Sequence, residues 1–139
     1  MAAENILEIK NMVVEYVTDS SVVHAVNGVN LQVKKGETIG LVGETGAGKT
    51  TIARAIMRIL QSPPAKLVDG EIVFDGENLM KFSEKEMRKI RGDKIAMIFQ
   101  DPMTALNPIE KVGWQIAEAI ELHNKISKKD AQKRACDML

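Results

Sequence analysis

Apolar and polar positions along the chain change period several times, and each change marks an element. Residues 6–17, ILEIKNMVVEYV, are dense in β-branched side chains and predict a strand. Residues 29–33, VNLQV, alternate apolar and polar, the period of a half-buried strand. The turn KKGE follows. Residues 38–43, TIGLVG, then form a short apolar run closed by glycine, the pattern of a strand covered on both faces. From residue 49 the period lengthens. In KTTIARAIMRIL, Ile52, Ala55, Ile56, Ile59 and Leu60 share one helical face, and Arg54 and Arg58 the other.

Pro63 and Pro64 end that helix. EIVFDG predicts a strand with a tight turn at Asp75-Gly76. Ser83 and Glu86 have the spacing of a capping box, so a short helix begins there. Residues 94–100, KIAMIFQ, predict another buried strand. The loop DPMTALNP follows, and then a helix from near Ile109 with Val112, Ile116 and Ile120 on one face. Ser127 with Asp130 caps a last helix, which reaches Leu139 with no capping glycine and no closing strand, as if inside something larger.

Composition narrows the class. At 139 residues the chain has the length of about one domain. Lys plus Arg equals Asp plus Glu at 19 each, which lacks the basic balance of a nucleic-acid-binding protein. Cys136 is the single cysteine and has no partner for an internal disulfide. The first residues lack a basic stretch followed by an apolar one, so no secretory signal is expected there. No apolar run approaches the roughly 18 residues of a membrane span. His24 and His123 stand alone, without a motif around either.

The candidate chemistry sits between the run 38–43 and the helical stretch. GETGAGKTT, residues 43–51, fits G-x-x-x-x-G-K-[ST], the phosphate-binding loop, with a predicted strand before it and a predicted helix after it. Gly43 permits a sharp exit from the strand. Gly46 and Gly48 lack a Cβ, so the backbone of Glu44, Thr45 and Ala47 can wrap a phosphate closely. Converging N–H groups and the helix N-terminus supply positive partial charge. Lys49 is placed for the β- and γ-phosphates, the Thr50 hydroxyl for Mg²⁺, and Thr51 for the α- and β-phosphates.

The loop names a nucleoside triphosphate but no reaction. A GTP switch needs N-K-x-D, and the nearest match, NKIS at 124–127, lacks the aspartate. A small kinase adds an arginine-rich lid, for which Arg88 and Arg91 are weak candidates. A stand-alone nucleotide-binding or regulatory module stays open.

A third reading is more specific. LQVKKGETIGLVGETGAGKTT, GEIVFDGENL and MIFQDPMTALNP together resemble the first half of an ATP-binding cassette (ABC) transporter ATPase. The wording FQDPMTALNP is most similar to the oligopeptide and dipeptide importer subfamily. The resemblance implies an α/β P-loop NTPase of ABC ATPase type: an antiparallel β part, a parallel core, and the start of a helical subdomain. It places residues 1–108 in the ATPase core and 109–139 in the opening of the helical subdomain. It implies that Tyr16 stacks on adenine, a contact worth roughly 1–3 kcal/mol in nucleic-acid complexes and weakly selective between bases. It makes Gln100 the Q-loop glutamine, which touches Mg²⁺ or its water and acts with Lys49 in catalysis. Its cofactors are ATP and Mg²⁺. Its partners are transmembrane permease subunits and a second ATPase subunit, on the cytoplasmic face of the cell membrane.

Asp75 and Asp101 each follow an apolar run, as a Walker B aspartate does, but neither has an adjacent glutamate, and both read as turn or loop residues. The LSGGQ signature, the Walker B strand with its glutamate, and the switch histidine do not occur in these residues. The expectation is therefore that this chain holds ATP better than it hydrolyses it, and that hydrolysis belongs to the intact subunit.

Overall fold

The computed structural model describes residues 4–100 and 105–139. They form two compact units, one up to Met87 and one from Arg88 onward.

The first unit is built on an open antiparallel sheet. Strand β1 (Asn5–Val17) pairs on one side with β2 (Val22–Lys34) and on the other with β3 (Ala65–Phe74), and β4 (Glu77–Asn78) extends the far edge, in the order β2-β1-β3-β4. Leu7 faces Val33 and Phe74, while Tyr16 faces Val23 and Ala65. The expected strand at 29–33 is thus the second half of a much longer β2, and the expected EIVFDG strand begins earlier, directly after Pro64.

A bulge explains how this sheet buries the residues it does. Ile9, Met12 and Val14 are all buried, although strict alternation would put Ile9 and Met12 on opposite faces. The pairing slips between Ile9 and Met12, where Asn11 takes a φ of 48°. The extra residue restores the inward face. Gly70 of β3 lies against this kink. Its φ is 105°, and a Cβ there would stand 2.7 Å from the carbonyl oxygens of Lys10 and Asn11, so only glycine fits.

The turn after β3 is the two-residue kind that sequence predicts. Asp75 and Gly76 both have positive φ, 50° and 80°, which matches the twist of the flanking strands. Helix α1 (Lys49–Ile56) buries Ile52 and Ala55, and Met57 follows them into the core with Val26, Ile72 and Leu79. It is shorter than the 49–60 periodicity predicts. Arg58 takes a φ of 51°, and its guanidinium donates to the carbonyls of Leu79 and Phe82, which turns the chain out of the helix. Helix α2 (Glu84–Ile90) starts on the expected capping box: the Ser83 N–H donates to Glu86 Oε2 at 2.7 Å, and the Glu86 N–H to Ser83 Oγ at 3.3 Å.

The two apolar runs expected as buried strands do not form strands. Residues 38–43 are irregular and exposed, with Val42 95% exposed. Residues 94–100 are likewise irregular apart from a single bridge of Ile95 to Arg91, and Ile98 is 98% exposed. A strand is a pairing between backbones rather than a property of a run. A parallel sheet moreover draws its stability from layers on both faces. The described residues supply neither for 38–43. The antiparallel part of the expected fold is therefore present, and the parallel pairing is not formed among the described residues.

The second unit is a helical hairpin. Helix α3 (Val112–Asn124) packs on α4 (Lys128–Asp137) through Ala117, Ala131 and Ala135, with Ile116, Ile120 and Ile126 around them. Val112, expected on the same face, is exposed instead. Ser127 caps α4 as predicted, accepting from the Asp130 N–H at 3.2 Å and donating to Asp130 Oδ2 at 2.6 Å. Ahead of α3, Gly92 turns with a φ of 85° against the imidazole of His123.

Candidate phosphate-binding loop

Residues 43–48 leave the extended run and enter α1 within a few bonds. Gly46 and Gly48 both adopt left-handed backbone, with φ of 85° and 82°. The Ala47 N–H donates to the Glu44 carbonyl at 3.1 Å, which closes the turn between them. Gly48 is the N-cap residue of α1, and no side chain caps the helix there. No acidic residue lies in its first turn either. The first N–H groups of a helix have no intrahelical acceptor. Here, with no capping side chain, they are suited to an anion, and the helix dipole favours one.

Gly48 also anchors the loop to the sheet. It is buried, and a Cβ built on it would lie 2.5 Å from the carbonyl oxygen of Ala25 in β2. Gly46 faces open space by the same measure. The two glycines therefore serve different needs: both need the left-handed backbone, and only Gly48 needs the close approach.

Lys49 folds back over the loop. Its Nζ donates to the carbonyls of Gly43 at 2.6 Å and Glu44 at 2.7 Å. An ammonium group holding two neutral carbonyls is a cation kept at the mouth of the turn without a counter-charge from this pair. A phosphate oxygen is a stronger, charge-assisted acceptor for the same protons. Gly43, Glu44, Thr45, Ala47 and Thr50 are exposed, so the loop is open to a ligand.

Tyr16 is half-buried at the edge of this site, and its hydroxyl lies 3.3 Å from Oγ1 of Thr51 in α1. Sequence reasoning placed both residues near a nucleotide but missed their contact with each other, and it missed Ala25 altogether. Neither has a local signal: one depends on where a strand residue meets a helix, the other on a backbone carbonyl. Gln100 belongs to the second unit and is exposed at the end of the run 94–100. Asp101, set aside above as a Walker B candidate, lies outside the described residues; Asp75 is in the hairpin turn. Among the described residues no cluster of His, Cys, Asp and Glu is arranged to hold a metal, and no helix is long and apolar enough to cross a membrane.

A protein-family model described as ABC transporter matches residues 26–139. Over 137 residues the chain is 46% identical to the probable peptide ABC transporter ATP-binding protein y4tR of Sinorhizobium fredii, covering 99% of this chain and 41% of that protein. It is 48% identical over 134 residues to the oligopeptide transport ATP-binding protein OppD of Bacillus subtilis, covering 96% of this chain and 37% of that one. The chain thus spans about two fifths of the length of these relatives. Among solved structures, it is similar to the post-hydrolysis dimer of the ATP-binding cassette MJ0796 bound to ADP and Pi, with a TM-score of 0.79 and 26% identity, covering 94% of this chain and 54% of the other.

Proposed function

Because the chain belongs to the ABC transporter family, we propose that it is the nucleotide-binding part of an ATPase subunit that powers peptide transport. One observation carries the reading. The Lys49 ammonium and the uncapped first turn of α1 flank a loop whose two left-handed glycines leave room for a phosphate chain.

The backbone N–H groups of 44–48 and the start of α1 cradle the phosphates. Lys49 exchanges its carbonyl partners for β- and γ-phosphate oxygens, and Thr51 serves the α- and β-phosphates. The exposed Thr50 hydroxyl is a hard oxygen donor of the kind Mg²⁺ takes. Mg²⁺, when bound, supplies neutralisation of the charge on the phosphoryl oxygens. Gln100 is assigned a second oxygen contact to that ion, and Tyr16 a stack on adenine.

These residues hold and orient the nucleotide. Hydrolysis is assigned to the intact subunit, acting with a second ATPase subunit. Peptide as cargo is supported by the names of the relatives, which are peptide and oligopeptide transport proteins. We assign residues 109–139 to the opening of the helical subdomain, and permease subunits on the cytoplasmic face of the cell membrane as its partners.

Calorimetric titration of Mg-ATP into the chain and into Lys49→Ala tests the reading. Binding by the wild type that is lost in the variant is the expected result. Equal binding by both, or none by a folded wild type, overturns it.

A further inference from the structure

Tyr16 stands where the sheet is paired on both sides. Its Cα faces Val23 in β2 and Ala65 in β3, and the next residue, Val17, donates its N–H to the Pro64 carbonyl at 2.9 Å. Tyr16 follows the buried Met12 and Val14 at two-residue spacing, so it shares the face that the core covers. Its backbone is therefore fixed from two directions, and its hydroxyl reaches Thr51 Oγ1 at 3.3 Å. Thr51 is the third residue of α1. A threonine hydroxyl inside a helix can bond back to a carbonyl three or four residues earlier, here that of Gly48 or Ala47, which would occupy its proton. Here it has a partner outside the helix.

We propose that Tyr16 is a positioning residue for the phosphates: its hydroxyl holds the Thr51 hydroxyl in the orientation from which Thr51 donates to a phosphate oxygen. The inference rests on the reading of residues 43–51 as the nucleotide site. It gives Tyr16 a task separate from any contact with a base.

The direction of the bonds follows from counting protons. Each hydroxyl carries one, and an ionised phosphate oxygen only accepts. Thr51 therefore reaches phosphate with its own proton. The proton between the two hydroxyls is then the tyrosine's, and Tyr16 donates to Thr51 Oγ1. A donor on Oγ1 polarises the Thr51 O–H and strengthens its bond to the phosphate. The 3.3 Å separation is longer than the usual O–H···O distance of about 2.7–2.8 Å, which leaves room for the pair to tighten as Thr51 turns to its ligand.

Ring and hydroxyl thus serve different parts of the nucleotide, and Tyr16→Phe separates them. The probes are Mg²⁺ with inorganic tripolyphosphate, which has no base, and Mg-ATP, both followed by calorimetry. Tyr16→Phe is expected to weaken both about three- to tenfold, the worth of one net hydrogen bond. The same change made on top of Thr51→Val is expected to cost nothing further, because the partner hydroxyl is already gone. Unchanged tripolyphosphate binding in Tyr16→Phe overturns the proposal. A loss that adds in full to that of Thr51→Val also overturns it, since that is what a general loosening of the fold would give. A wild type that binds neither ligand overturns the nucleotide-site reading and this proposal with it, and the wild-type titration alone tells that failure from the others.

Discussion

Gly48 meets the carbonyl of Ala25 so closely that no side chain fits between them: a Cβ would stand 2.5 Å from the oxygen. The exit of the phosphate loop is thereby seated on β2, and the register of the sheet fixes where α1 starts. Gly48→Ala adds a steric collision to the roughly 1–2 kcal/mol cost of a left-handed alanine. Gly46→Ala carries the backbone cost alone, since nothing lies within 4 Å of its Cβ. Urea unfolding should therefore show Gly48→Ala losing more stability than Gly46→Ala. Equal losses would mean that β2 yields freely and does not seat the loop.

Lys49 holds the loop closed on itself through the carbonyls of Gly43 and Glu44. Hydrogen bonds from a charged donor are worth about 1.5–3 kcal/mol each when well formed, and less at an exposed site such as this. Without ligand, Lys49→Ala should exchange the amides of 43–48 faster, several-fold by mass spectrometry, while the amides of β1 stay unchanged. Unaltered exchange in the loop would show that its turn persists without the lysine.

In the second unit, Gly92 turns beneath His123, whose Nε2 would lie 2.7 Å from a Cβ at residue 92. The Gly92 N–H donates to the Ile95 carbonyl at 2.9 Å, so the turn has little freedom to move aside. Gly92→Ala should cost about 1–3 kcal/mol, from backbone strain and overpacking together. Adding His123→Ala should recover the packing part but leave the strain. A double variant no more stable than Gly92→Ala would show that the imidazole moves away at no cost.

The α3–α4 seam is lined by the small buried residues Ala117, Ala131 and Ala135. Ala131→Leu forces three extra carbons into it and should cost about 1–3 kcal/mol, read as a lower midpoint of helix unfolding by circular dichroism. Cys136→Ser, next to the seam but exposed, should stay within about 0.5 kcal/mol of the parent.

Glu8 offers a mild acid-sensitive contact on β1. The Asn5 side-chain amide donates to its Oε1 at 2.7 Å, and Lys10 lies 3.2 Å from its Oε2. Asn5 first, then Lys10, holds the carboxyl below its ordinary value. A depressed folded pKa stabilises the fold above the unfolded value, and that contribution is lost as pH falls through the folded one. Asn5→Leu should move the Glu8 titration upward, as followed by NMR. A titration that stays in place would assign the shift to Lys10.

Much of the first unit was readable because its signals are local. The Asp75-Gly76 pair made its two-residue turn, and Ser83, like Ser127 in the second unit, started a helix. In each case a few adjacent residues satisfy their own backbone, so no distant partner is needed. The left-handed glycines of residues 43–48 belong to the same class.

Other features were settled by contacts distant in sequence. β2 extends back to Val22 because β1 pairs with it over its whole length, not because 22–28 alternates. Helix α1 stops at Ile56 because Arg58 is caught by the carbonyls of Leu79 and Phe82. Residues 38–43 and 94–100 have strand-like sequences yet form no strand, because a strand needs a neighbour to accept its hydrogen bonds.

Residues a few positions apart were enough to specify the left-handed glycine turn of 43–48, the helix caps and the hairpin turn. The assembled sheet was needed to seat Gly48 on the carbonyl of Ala25, to bring the Tyr16 hydroxyl to that of Thr51, and to select which apolar runs become strands. Each of those joins groups far apart in the chain, and the geometry that brings them together comes from the pairing of the whole sheet.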